Sequence, residues 1–151
     1  MIQRKQSVFL LLAVIISVIC LSLPVGFYLP KGMGLDDTLM NLWIRHGNGA
    51  IDFATCPLFI ILLVSSVISL LTIFAYKNRK LQVLLCNIIM LLNAGWYIAY
   101  AVFGTVKVPE EMTFRPALAA AFPLVAVILT LMARRGVIAD EKLVRAADRI
   151  R

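Results

Sequence analysis

A chain of 151 residues has room for one compact domain, but 62% of it is hydrophobic, well above the roughly 45–50% of water-soluble domains, which excludes water as its main solvent. The net charge of +7 would suggest nucleic acid in a soluble protein. Here the basic residues sit beside long apolar segments, where they act as topology signals, and a nucleic-acid partner is set aside.

Asp, Glu, Lys and Arg are missing from four long windows, 6–30, 53–76, 81–106 and 116–133. At about 1.5 Å of rise per helical residue, the shortest reaches ~27 Å, close to the ~30 Å of bilayer hydrocarbon. Backbone in lipid must satisfy its own hydrogen bonds, and the ten-residue alternation of barrel strands is not seen, so each window predicts a spanning helix. The expected fold is a single all-α integral membrane domain, a four-helix bundle with spans at about 7–28, 55–76, 81–103 and 115–133.

Arg4 and Lys5 precede the first span, which has no small-x-small cleavage site after it and is read as uncleaved. Pro24 lies near its outer end. In the external segment that follows, Asn48-Gly49 favours a short β-hairpin on the membrane surface. The rival is an interfacial helix over 37–45, capped by Asp36 or Asp37, with Trp43 at headgroup level. The second span opens with Pro57, and the short loop Lys77-Asn78-Arg79-Lys80 makes the second and third helices antiparallel neighbours. Trp96, Tyr97 and Tyr100 form an aromatic belt towards the outer end of the third. In the fourth, Pro123 is expected to kink the helix. After Gly136, a separate cytoplasmic amphipathic helix is expected at about 139–150, capped by Asp140, with Ala139, Leu143, Ala146 and Ile150 as its apolar stripe.

The basic groups Arg4 and Lys5, Lys77, Arg79 and Lys80, and Arg134, Arg135, Lys142, Arg145, Arg149 and Arg151 outnumber Lys31, Arg45, Lys107 and Arg115 on the other side. The positive-inside rule therefore puts both termini and the second loop in the cytoplasm. Lys77, Arg79, Lys80, Arg134 and Arg135 are the expected contacts to anionic membrane lipids, and the tail stripe must lie on the bilayer or dock on a protein partner.

Polar groups inside spans are costly, so they are where function is sought; no charge is expected there. Reflecting the second and third spans about their loop puts Asn93 level with Ser65, and Asn87 level with Ser69 or its neighbours. These four are read as interhelix hydrogen-bond partners; the functional alternative has Asn93, Tyr97 and Tyr100 lining a polar path. Cys20, Cys56 and Cys86 are odd in number and lack a CxxC, so they read as packing thiols. His46, the one histidine, reads as a turn residue, and Asp36, Asp37, Asp52, Glu110 and Glu111 read as caps and loop carboxylates. No catalytic constellation, cofactor or metal site is expected.

Met1-Ile2-Gln3-Arg4-Lys5-Gln6, the stretch Ile73-Phe74-Ala75-Tyr76-Lys77-Asn78-Arg79-Lys80-Leu81-Gln82 and the closing Asp140-Glu141-Lys142-Leu143-Val144-Arg145-Ala146-Ala147-Asp148-Arg149 resemble one family. It is the four-span membrane family of the Bacteroidota catalogued as domain of unknown function 4293. The resemblance implies a bacterial inner membrane and this architecture, and carries over no functional residue. The expected role is a non-enzymatic accessory or assembly module acting through protein or lipid partners. The alternative is a small oligomeric carrier of a neutral small molecule or lipid, a homo-oligomer lined by Asn87, Asn93 and tyrosines.

Overall fold

The computed structural model describes residues 3–148. Four long helices dominate it: α1 (Gln3–Ser22), α2 (Cys56–Phe74), α3 (Arg79–Thr105) and α4 (Phe122–Asp148). Each packs on two others, in the cyclic order α1, α2, α3, α4. All four are long and apolar enough to cross a membrane. Their burial pattern inverts that of a soluble bundle. Leu11, Ile15, Leu63, Leu70, Leu91, Ile98 and Ile128 face outward, while Ala13, Ser17, Ser65, Ser69, Ala126, Thr130 and Ala133 are buried between helices. Small inward residues let helix backbones approach closely where no hydrophobic effect drives the helices together.

The expected first span stops early because Pro24 donates no backbone hydrogen bond and disfavours helix at the residue before it. The chain turns out of α1 into β1 (Gly26–Pro30), followed by β2 (Asp37–Leu39), β3 (Ile44–Arg45) and β4 (Ile51–Asp52). With β5 (Met112–Pro116), from between α3 and α4, they make an antiparallel sheet in the order β4-β3-β2-β1-β5. An external hairpin thus describes only part of this end, and the interfacial helix over 37–45 is replaced by strands. The β3–β4 hairpin closes at the Asn-Gly step: His46 N–H donates to Ala50 O at 2.9 Å and Asn48 Oδ1 accepts from Ala50 N–H at 2.9 Å. Among the described residues only Gly49 takes a positive φ, +87°.

β5 corrects the expected fourth span, which was to begin near 115. That stretch is strand and a 3-10 turn (Leu118–Ala121), so Pro123 falls in the first turn of α4, where its missing N–H would be unpaired anyway, and no kink is required. At the other end the separate tail helix is replaced by continuation of α4. Gly136 does not end the helix but seats α1: a Cβ there would lie 2.9 Å from Gln6 Cγ. The roughly 1 kcal/mol intrinsic cost of a mid-helix glycine is offset by that close packing. Asp140 accordingly lies inside a helix and caps none. The continuation places Arg134 and Arg135 in the same helix as the apolar stretch before them. Arg149, Ile150 and Arg151 lie outside the described residues.

Candidate functional site

Polar side chains gather at three levels of the molecule, and at each the local backbone explains why. At the sheet end, helices stop and the chain runs irregularly between α1 and β1 and between β5 and α4, so carbonyls there lack the helical ladder and need side-chain donors. α3 runs past these breaks and supplies them. Tyr100 OH donates to Val25 O at 2.7 Å and Trp96 Nε1 to Asn41 Oδ1 at 3.1 Å. Asn41 Nδ2 in turn donates to Cys20 O, near the last turn of α1, at 2.7 Å. Tyr97 OH donates to Ala120 O at 2.7 Å and accepts Leu124 N–H at 3.0 Å, so it caps the start of α4 from another helix. Tyr28 OH reaches back from β1 to Phe103 O at 2.9 Å, and Cys20 Sγ donates to Ala119 O at 3.3 Å. Trp96 and Tyr100 stack at 5.0 Å between ring centres, and Tyr100 meets Phe114 of β5 edge-on. Burial, and secondarily the Asp37 charge, push the Tyr28 phenol up to about 12, so it stays a donor.

Within the sheet, Asp37 ties β2 to the β3–β4 turn: its carboxylate meets His46 Nδ1 at 2.7 Å and accepts Gly47 N–H at 2.9 Å. His46 is therefore an anchored turn residue, and Asp37 caps no helix. Asp52 caps the 3-10 turn before α2 through Ala54 N–H. The exposed segment carrying Glu110 and Glu111 offers its backbone, with Glu110 O accepting Lys31 Nζ at 2.7 Å.

Midway along the helices, Asn93 Nδ2 donates to Ser65 Oγ and to Ile89 O, both at 2.8 Å. Ser69 turns its hydroxyl to Ser65 O instead, at 2.9 Å. Asn87 is half-buried, and no hydrogen bond joins it to Ser69 among the described residues. Asn93 Oδ1 is buried with no hydrogen-bond partner among the described residues. Cys20, Cys56 and Cys86 are free thiols.

At the basic end, Gln6 Nε2 donates to the buried Asp140 carboxylate at 2.6 Å, and Arg79 Nη1 donates to Asp140 O at 2.9 Å. Gln82 Nε2 donates to Thr72 O at 3.4 Å. Gln6, Ser7, Tyr76, Arg79, Gln82, Val137 and Asp140 surround a cleft of only about 10 Å³. Arg134 is half-buried with an unpartnered, buried Nε, while Arg135 and Lys80 are exposed; the Lys77 side chain lies outside the described residues.

The whole chain is thus one pattern from the first helix to the end of α4, and a family model matches it over residues 2–150. The chain belongs to the family described as Domain of unknown function (DUF4293). No curated protein matches it. The family's description names no activity, so membership assigns no chemistry to any residue of this DUF4293 chain.

Asn41 and Gln6, two of the most engaged polar side chains, escape sequence reasoning. Asn41 is 0% exposed, and its only signal is a lone amide between apolar neighbours in Leu39-Met40-Asn41-Leu42-Trp43. Gln6 reads as the polar margin of a span until Gly136 is seen opposite it.

Proposed function

We propose that this DUF4293 protein is a non-enzymatic accessory or assembly module of a bacterial inner membrane, acting through a protein partner that docks on the projecting end of α4. The observation that carries this reading is the length of α4. At about 1.5 Å per residue, a helix of 27 residues extends ~40 Å, beyond the ~30 Å of bilayer hydrocarbon. Because no turn separates tail from span, residues beyond Asp140 project from the membrane as part of one continuous helix and do not fold back onto the surface. That end carries Ala139, Leu143 and Ala146, all exposed, with Leu143 at 61%. An apolar stripe on a helix held away from lipid is a helix-in-groove ligand.

The concentration of basic residues at this end supports placing it in the cytoplasm, with the sheet on the outer side. The internal polar groups also favour a scaffold. Tyr97, Tyr100, Trp96 and Asn41 are committed to backbone and to one another, leaving their hydroxyl, N–H and amide groups spoken for. A photo-crosslinker at Leu143 in living cells should capture a discrete protein, and the same probe at Val8, on an outward face of α1, should not. Equal capture at both positions, or none at Leu143, would overturn the docking reading.

The alternative, an oligomeric carrier for a neutral molecule or lipid, draws on one observation: the buried acceptor Asn93 Oδ1 lacks a partner among the described residues. An Asn93→Leu variant that folds and retains any measured flux would eliminate it.

A further inference from the structure

α3 has two unlike faces. Cys86, Ile89, Asn93 and Trp96 are buried against the neighbouring helices. On the other side Leu84, Asn87, Leu91, Ala94, Ile98 and Ala101 follow one another at alternating steps of three and four residues, the 3.5-residue spacing of a coiled-coil seam. The seam has relief. Leu91 and Ile98 stand 71% and 70% exposed, whereas Ile15, Ile60 and Ile128, on the outward faces of the other three helices, reach only 45%, 53% and 50%. The difference follows from their neighbours on the seam: the side chains of Ala94 and Ala101 are too short to cover them. Projecting knobs therefore alternate with hollows, the form into which a second helix packs.

Asn87 lies on this seam between Leu84 and Leu91, its neighbours one turn away on either side. It sits ~12 Å along α3 from Arg79, at about 1.5 Å per residue. Its amide makes no hydrogen bond among the described residues, and neither of its polar atoms is sealed inside the fold. In hydrocarbon no water answers such an amide, so its partner comes from another molecule. We infer that this face of α3 is a homodimer interface, on which a second copy of the chain packs its own α3 about a twofold axis along the membrane normal and pairs Asn87 with Asn87. A carboxamide holds both donor and acceptor and is therefore complementary to its own image across a twofold, whereas a lipid acyl chain offers neither group. Two copies inserted with one topology run their α3 helices parallel, which sets Asn87 opposite Asn87 and brings the knobs of each seam to the hollows of the other in register. The inference rests on the membrane placement of α3, and not on the partner reading above.

The test is the monomer–dimer equilibrium of the purified full chain in phosphatidylcholine vesicles, read by energy transfer as the lipid-to-protein ratio is raised. Fluorophores are attached at Met33→Cys, on the exposed β1–β2 loop, in a Cys56→Ser background. The expected result is energy transfer that saturates at a dimer and falls on dilution. Asn87→Leu should weaken association about fivefold, Asn87→Gln, which keeps donor and acceptor, by less, and Ile15→Ala, on the outward face of α1, not at all. A chain that stays monomeric at every ratio would overturn the inference, and so would a dimer indifferent to Asn87→Leu, which places the interface elsewhere. If Asn87→Leu fails to fold, oxidation with copper phenanthroline decides. Ala94→Cys in the Cys56→Ser background should then form a disulfide with its own copy, each thiol losing its proton and one electron to the oxidant, while Ile15→Cys should not. No bridge at 94, or equal bridging at 94 and 15, would contradict the α3 interface.

Discussion

The sheet end and the middle of the helical body are held together by different chemistry. In the middle, each helix satisfies its own backbone, so the side chains between helices are small, and hydrogen bonds such as Asn93 to Ser65 add to packing that already exists. At the sheet end the ladders stop, and Asn41, Trp96, Tyr97, Tyr100 and Tyr28 supply what the backbone has lost. Polar side chains in a chain this apolar therefore mark broken backbone first, and chemistry only after that demand is met.

If this contrast is right, the costliest single change is Asn41→Ala. It strands both Trp96 Nε1 and Cys20 O in a buried site, and should cost about 2–4 kcal/mol in thermal or denaturant unfolding in mild detergent. A loss below that of Asn93→Leu would erase the distinction between the regions. Gly136→Val, at the far end, should cost about 1–3 kcal/mol by forcing Gln6 and α1 away from α4, with the Gln6 to Asp140 bond lost alongside. Tyr97→Phe should cost about 1–3 kcal/mol, and hydrogen exchange should quicken at Leu124, whose N–H loses its acceptor, while α4 beyond its first turns stays protected. Asn93→Leu should cost only about 0.6 kcal/mol, the ordinary size of an interhelical bond in a membrane.

The smallest effect is visible only in alkali. Since the Tyr28 phenol is held up to about 12, the folded state keeps its proton where the unfolded chain has released it. Its contribution is whole below pH 10, the ordinary phenol value, and declines as pH rises through the interval up to about 12. Tyr28→Phe should flatten part of that decline in an unfolding series against pH.

The helices were legible because charge-free length is a direct consequence of bilayer thickness, and the Asn48-Gly49 turn because few residues other than glycine tolerate φ of +87°. The sheet was harder to read. β2, β3 and β4 are only two or three residues long, too short for alternation to register, and β5 pairs with β1 across most of the chain. Pro24 and Pro123 show the same limit from another side: each marks a boundary, yet only the folded neighbours reveal whether the helix ends, bends or begins there. The reach from Asn93 to Ser65 follows from reflecting a hairpin about its loop. The bond from Gln6 to Asp140 spans nearly the full chain and depends on the α1–α4 pairing, which no local pattern encodes.

The most direct test of the accessory-module account is the composition of the particle in which the chain resides. Extracted at native expression level straight into lipid nanoparticles and weighed by native mass spectrometry, the chain should carry a second protein in fixed stoichiometry, and truncation after Asp140 should release it. A chain found always alone and monomeric would contradict the account, and a pure homo-oligomer with a bound small molecule would return attention to Asn93 and the carrier reading.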